Sequence, residues 1–411
     1  MTESTILLIL MLIVSVDFLL DRVLSLLNIK SSKEAIPKEL DGIFDEEKYA
    51  KSQEYNSVTS RFGFFSSTFF FIITVMALYF GWFGALDGWV RGFSPFDLLS
   101  TLIFFGVLFV ATDIVSLPFS VYGTFVIEER FGFNKTSPKT FILDKLKGYL
   151  IGILIGGGLL FAFLYLIAFM GKDFWWYFWI VITAFILFLN VFYTSWILPL
   201  FNKLTPMEEG DLKSSIFRFS EKVNFPLDNI FVMDGSKRSS KGNAFFSGIG
   251  KRKKVVLFDT LIAKHSIEEL TAVFAHEVGH FKKKHIVLGT LLSILQVGLM
   301  LYLLSLMIFS SEVSFALGGE VSTIHLNILG FVILYTPVSR LLGIVMNIFS
   351  RKNEYEADAY AKEYFGEKPL ISGLKKMSGD HLSNLTPHPA FVFVNYSHPP
   401  LLQRVRALEG N

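Results

Sequence analysis

The segment His276-Glu277-Val278-Gly279-His280 lies in a chain of 411 residues that holds 8 His and no Cys. In a helix, positions four apart share a face, so both imidazoles can reach one metal while Glu277 is placed to hold a water beside it. The lack of cysteine excludes disulfide scaffolds, thiol nucleophiles and iron–sulfur clusters, so any metal must sit on His and carboxylate. A catalytic zinc needs a third protein ligand and one open position. His285 stands nine residues beyond His276, about 180° around a continuous helix, and is expected to face away. The pattern HExxHxxGxxH would require Gly where this chain has Lys283 and His where it has Ile286, which excludes that class. The third ligand is instead sought in Arg351 to Tyr360, where Glu354 and Asp358 fall on one helical face. Glu356 lies about 200° from Glu354 and is expected in solvent. Taken without the first motif, that acidic face would read as plain solvation. With it, the expectation is one Zn²⁺ on His276, His280 and Glu354, with Glu277 as general base and Asp358 orienting a ligating imidazole.

The elements that must position these groups can also be read. Ser266 and Glu269 fit a capping box, and Ile267, Leu270, Val273, Phe274 and Val278 supply the apolar stripe of the helix they open. Apolar runs at 230–233 and 255–258 are strand candidates. Beyond them the composition changes the problem: 52% of residues are hydrophobic and 18% charged, against about a quarter charged in soluble domains. The apolar excess is concentrated in seven runs, at residues 5–27, 63–86, 97–122, 148–171, 174–199, 286–309 and 324–349, each long enough to span a bilayer. The chain is therefore expected to be an α-helical integral membrane protein in contact with the lipid bilayer. A cleaved leader is the alternative for the first run, which lacks a basic flank.

An odd number of spans puts the termini on opposite sides. One side would hold only Arg91 and Lys172, the other Lys30, Lys33, Arg130, Lys135 and the clusters 251–254 and 282–284, so the N-terminus is expected outside and the C-terminus in the cytosol. The expected organisation is 1–198 for spans one to five, 199–285 for a cytosolic catalytic segment with a small β-sheet, 286–349 for spans six and seven, and 350–411 for a cytosolic segment completing the zinc site. The last two spans form a hairpin that returns the chain to the HEVGH helix. A net charge of +2, from 38 basic and 36 acidic residues, gives no sign of a nucleic-acid partner. Asp17, Asp113, Asn190, Gln296, Asn327 and Arg340 fall inside the runs, which suggests either a hydrated chamber or structural pairs such as Asp113 with Arg340. The glycines at 156–158 read as a site of close helix packing.

HEVGH followed by Glu354-Tyr355-Glu356-Ala357-Asp358 resembles the type I CAAX prenyl protease family, integral-membrane zinc metalloproteases of the gluzincin type. Supporting stretches are Ile127-Glu128-Glu129-Arg130-Phe131-Gly132-Phe133-Asn134, Pro199-Leu200-Phe201-Asn202-Lys203-Leu204-Thr205-Pro206 and Tyr396-Ser397-His398-Pro399-Pro400-Leu401-Leu402, so the likeness runs from about residue 120 onward. The resemblance implies seven helices around an intramembrane chamber, an α+β protease part with the zinc at its cytosolic end, and cleavage near the C-terminus of prenylated CAAX substrates. It also implies that Asn243 binds substrate backbone and that His398 and Arg404 stabilise the oxyanion and lock the site. Read alone, Asn243 is a turn residue, His398 a loop histidine and Arg404 a helix cation. The brief loop between spans six and seven and the absence of an endoplasmic reticulum retrieval signal suggest a bacterial inner-membrane member; otherwise the endoplasmic reticulum is expected. In a bacterial member, prenylated proteins need not be the natural substrates. Two other readings compete: a quality-control protease for misfolded membrane proteins, and a transporter or channel with a structural zinc. Structural zinc sites usually have four protein ligands and Cys.

Overall fold

A computed structural model describes residues 2–32, 36–40, 42, 46–94, 96–247 and 253–410. Lys33 and residues 251–252 of the basic cluster lie outside these. Helices α1 (Glu3–Ser31), α2 (Glu46–Tyr79), α3 (Trp82–Arg91) and α4 (Asp97–Tyr122) come first, and α4 runs on into a π-helical turn at Gly123–Glu128. Helix α5 (Pro138–Ile151) continues through a second π turn, Gly152–Gly157, into α6 (Gly158–Met170), and α7 (Phe174–Phe192) follows. Among the described residues, five runs are long and apolar enough to cross a membrane: Glu46–Tyr79, Asp97–Glu128, Pro138–Leu200, His285–Ser305 and Ile324–Tyr364.

Residues 63–86 do not form one helix. Helix α2 ends at Tyr79, and Gly81 adopts a left-handed φ of 66° before α3 begins. The reason is a close approach. The Gly84 N–H donates to the Leu317 carbonyl at 3.0 Å, and a Cβ on Gly84 would lie 1.9 Å from the Gly318 carbonyl oxygen. The glycines at 156–158 contradict the packing expectation: a Cβ on any of them meets nothing within 4 Å. Two of them belong to the π turn.

After α7 the chain forms β1 (Leu204–Pro206), α8 (Asp211–Lys222), β2 (Leu227–Met233), β3 (Ala244–Ser247), β4 (Lys253–Phe258), the short α9 (Asp259–Ile262) and α10 (Ile267–Lys282). The sheet order is β1-β2-β4-β3, with β2 and β4 parallel and the other pairs antiparallel. Both strand candidates fall within β2 and β4, and β3 is an edge strand that begins one residue after Asn243.

The chain then forms α11 (His285–Ser305), α12 (Ser311–Ala316), the 41-residue α13 (Ile324–Tyr364), α14 (Glu367–Asp380), α15 (Pro389–Asn395) and α16 (Leu401–Glu409). At 1.5 Å per residue, α13 is about 60 Å long. It carries both the polar residues of the last apolar run and the acidic motif that follows. The sheet segment and the C-terminal helices share one core: Ile216, Phe219, Leu257 and Phe274 pack with Tyr360, Leu370, Leu374 and Leu408.

The expected pair of Asp113 with Arg340 does not form. Arg340 on α13 binds Asp17 at 2.6 Å and Asp21 at 3.0 Å on α1, because α1 is the helix against which this part of α13 lies. Asp113 on α4 instead meets Lys145 at 2.5 Å and the Tyr149 hydroxyl, both on α5.

Candidate metal centre

Helix α10 starts where the chain can start a helix. The Ser266 hydroxyl accepts from the Glu269 N–H at 3.2 Å, and the Glu269 carboxylate accepts from the Ser266 N–H at 2.9 Å, which satisfies two otherwise unpaired groups at the first turn. Leu270, Phe274 and Val278 are fully buried in the core shared with α13 and α14. Their face fixes the rotation of α10 and turns His276 and His280 toward α13.

Gly279 sets how closely the two helices approach. A Cβ there would stand 3.0 Å from Ala357 Cα, 3.1 Å from its carbonyl oxygen and 3.1 Å from Tyr360 Cβ. Ala357, the residue just before Asp358 in the acidic motif, therefore packs on the glycine of HEVGH. Glu354 and Asp358, one turn apart on either side of that contact, then both reach the histidines.

The resulting cluster is tight. His276 Nε2 and His280 Nε2 are 3.1 Å apart, Glu354 Oε1 is 3.2 Å from His280 Nε2, and Glu354 Oε2 is 3.5 Å from His276 Nε2. One ligand atom from each of the three residues lies within 4.8 Å of the others. Ligand atoms about 2.0 to 2.1 Å from a tetrahedral ion stand about 3.3 Å apart, so the donor set fits zinc in spacing and in type. The buried Glu354 Oε2 makes no hydrogen bond, as an oxygen reserved for a cation would; Arg404 Nη1 lies 3.3 Å from it.

Behind the cluster, Asp358 Oδ1 is 2.8 Å from His276 Nδ1. Arg404 grips the same carboxylate in a fork, with Nε donating at 2.8 Å and Nη2 at 2.6 Å. Burial works against the Arg404 charge, but these bonds outweigh it and raise its pKa above the ordinary arginine value. His398 is largely exposed, with Nε2 3.3 Å from Glu354 Oε1 and Nδ1 3.0 Å from the Ser397 hydroxyl. Glu277 is half-buried beside the cluster. Burial pushes its carboxyl above the ordinary glutamate value, although the neighbouring His276 and His280 pull the other way. Asn243 is exposed at the start of β3, its side-chain oxygen accepting from the Ala244 N–H.

Two residues expected away from the site lie beside it. His285 is buried with its Nδ1 3.0 Å from His280 Nδ1, and its Nε2 is 3.2 Å from Glu356 Oε2. Counting turns from His276 fails here because α10 stops at Lys282. Lys284 takes a left-handed φ of 61°, and His285 opens a new helix that swings back onto His280. Glu356, expected in solvent, is drawn to His285, with Lys352 at 3.8 Å from its other oxygen. The signal for this break was the Lys282-Lys283-Lys284 run, too basic to sit inside an apolar helix.

Residues 25–203 match the model for the CAAX prenyl protease N-terminal region of five membrane helices, and residues 206–411 match peptidase family M48. The chain is 35% identical over 408 residues to CAAX prenyl protease 1 of Saccharomyces cerevisiae, covering 92% of this chain and 90% of that one. It is 32% identical to the human CAAX prenyl protease 1 homolog, covering 91% and 88%. A crystal structure of S. mikatae Ste24p superposes with a TM-score of 0.91 at 33% identity, covering 98% of both chains. With an HExxH helix and a carboxylate helix converging on one cluster, and with family matches spanning nearly the whole chain, this is a membrane metalloprotease that belongs to the CAAX prenyl protease family within peptidase family M48.

Proposed function

We propose that the chain holds one zinc ion on His276, His280 and Glu354 and hydrolyses peptide bonds near the C-terminus of prenylated CAAX-type substrates. The observation that carries this reading is the convergence of those three donors at 3.1 to 3.5 Å from one another. When bound, the ion supplies Lewis acidity at the scissile carbonyl and makes a neighbouring water more acidic. Glu277 takes the proton from that water as its oxygen attacks the carbonyl carbon. It then delivers the proton to the amide nitrogen as the C–N bond breaks. Burial beside His276 and His280 raises the Glu277 carboxyl, the direction that makes it a stronger base.

The other residues hold this arrangement. Asp358 accepts from His276 Nδ1 and fixes which imidazole nitrogen faces the ion. Arg404 clamps Asp358 and stands against Glu354, so it locks the carboxylates from behind. The exposed His398 donates to the oxygen that gains charge during attack. Asn243 meets substrate backbone at the open edge of β3, where an extended peptide can pair.

The membrane part supports a seven-helix reading: α1 is 29 residues long, and the turn at Gly171–Asp173 divides the Pro138–Leu200 run in two. The helices then enclose a chamber, lined in part by the Asp17–Arg340–Asp21 cluster, above a site on the cytosolic side. The segments 1–198, 199–285, 286–349 and 350–411 alternate membrane and soluble parts, with the N-terminus outside and the C-terminus in the cytosol. In a bacterial cell this is the inner membrane, in a eukaryotic cell the endoplasmic reticulum. A reporter fused after the last residue should be cytosolic and one near Gly319 should lie on the opposite side; both in one compartment would refute seven spans.

Purified protein should contain zinc and cut a farnesylated CAAX peptide faster than the same peptide without its lipid, since each buried CH₂ contributes about 0.8 kcal/mol. Equal rates on the two peptides would favour quality control of misfolded membrane proteins. Absence of zinc together with absence of cleavage would refute the reading.

A further inference from the structure

Away from the metal centre, a cleft of about 640 Å³ opens between α2 and the junction of α4 with its π turn. Phe62, Phe65, Phe119 and Tyr122 form its walls, and Arg61 and Arg130 are its two charged residues. The rings contact one another, Phe62 with Tyr122 at 5.2 Å and Phe65 with Phe119 at 6.1 Å between centroids. Phe65 is 64% exposed, and with Phe69 and Ile72 it forms an apolar stripe along α2 at helical spacing. The opposite face of α2 carries Ser66, Ser67 and Thr74. The Phe65 face is the one that suits acyl chains.

The charged end lies where membrane helices meet the soluble part. Glu128, two residues before Arg130, accepts from the Tyr55 hydroxyl at 2.5 Å and from Lys241 at 3.1 Å, and Lys241 belongs to the segment leading to β3. The apolar run Asp97–Glu128 ends at this junction, which in the seven-span reading puts it at the level of a lipid headgroup. Among the described residues, Arg61 makes no hydrogen bond or ion pair and is exposed. Arg130 pairs with Glu54 and lies over the Phe131 ring at 5.5 Å. Arg130 thus has a carboxylate partner and Arg61 has none among the described residues, which leaves the Arg61 charge unpaired at the mouth of an aromatic groove.

That order of polarity matches an amphiphile with an anionic head and an apolar tail. We propose that the cleft binds one acidic phospholipid, its phosphodiester held between Arg61 and Arg130 and an acyl chain lying along Phe62, Phe65 and Phe119. The guanidinium fork suits phosphate oxygens, and basic pockets between membrane helices recognise anionic headgroups in this way. A zwitterionic lipid fits the groove equally well but brings no net charge to the arginine end.

The full-length protein in mild detergent would be titrated with phosphatidylglycerol or phosphatidylcholine of identical chains, and retained lipid read by native mass spectrometry. Wild type should retain phosphatidylglycerol preferentially. Arg61→Gln should lower that retention about fivefold, and Arg61→Lys should restore most of it. Glu54→Gln, which frees Arg130, should raise it. Because Arg61 contacts no partner, its variants should melt at the wild-type temperature. Inorganic phosphate at matched ionic strength should leave retention unchanged, since the chain supplies much of the contact; full displacement by phosphate would make a free anion the occupant and overturn the proposal. Equal retention of both lipids by wild type, or an undiminished preference in Arg61→Gln, would also overturn it.

Discussion

The Nδ1 atoms of His280 and His285 stand 3.0 Å apart, so one ring donates to the other behind the proposed ligand atom, and Glu356 then lies 3.2 Å from the far nitrogen of His285. His276 is backed in the same way by Asp358. Each imidazole of HEVGH therefore has its own partner. Partners of this kind fix ring orientation and tautomer, and removing one commonly costs about 10 to 100-fold in metal affinity. His285→Ala should weaken zinc binding by about that factor when measured against a competing chelator. Glu356→Ala should produce a smaller loss in the same direction, because it acts on His280 only through His285. Unchanged affinity in His285→Ala would leave the contact as packing alone.

Glu277 and Glu354 should separate cleanly. Glu277 is half-buried beside the donors, whereas Glu354 brings both oxygens within 3.5 Å of the imidazoles. Glu277→Gln should keep zinc at wild-type stoichiometry and lose about 10² to 10⁴-fold in peptide cleavage, the usual contribution of a general base. Glu354→Ala should lose metal and cleavage together. Elemental analysis beside a cleavage assay distinguishes the two. Full zinc occupancy in Glu354→Ala would reassign the third ligand.

Local periodicity made much of this site readable. HEVGH, the capping box at Ser266 and the shared face of Glu354 and Asp358 are all spacings within one helix, and helical geometry converts such spacing directly into direction. Relationships that depend on how helices end or meet were not readable. His285 departs from the face that its spacing from His276 predicts because the left-handed Lys284 ends one helix and starts another. Charge alone offers Asp113 as readily as Asp17 or Asp21 as a partner for Arg340, because it does not say which helices are neighbours. The run 63–86 contains a span, but hydropathy carries it past the end of α2 because it does not register the left-handed Gly81 or the close approach of Gly84 to Gly318. Asn243, His398 and Arg404 carried no local signal, and only the family resemblance drew attention to them.

Gly279 offers a test of the helix contact itself. A methyl group there would meet the Ala357 backbone at 3.0 to 3.1 Å, and backbone in a packed helix gives way less readily than a flexible side-chain end. Gly279→Ala should destabilise the soluble part by about 1 to 3 kcal/mol through overpacking, even though alanine is the better helix former. Because α13 would move outward with Glu354 on it, zinc affinity should fall in the same variant. A melting temperature equal to or above wild type would mean that the contact has slack.

The acid side of the stability profile should depend on Glu269. Its carboxylate is buried, accepting from the Ser372 hydroxyl at 2.6 Å, Lys376 at 2.9 Å and the Ser266 N–H at 2.9 Å, and it ties α14 to the first turn of α10. Burial alone would raise its pKa, but the three donors outweigh that and hold it below the ordinary glutamate value of 4.5. A carboxyl with a depressed folded-state pKa binds protons more tightly when unfolded. Its stabilising contribution is therefore fully present above the unfolded value and is lost as pH falls through the folded one. Glu269→Gln keeps an oxygen for the Ser266 N–H and removes the charge facing Lys376. Its stability deficit, measured by thermal melting in detergent, should be largest at neutral pH and should shrink as pH falls below about 4.5. A deficit that stayed constant across that range would assign the role of Glu269 to helix capping alone, with no contribution from its charge.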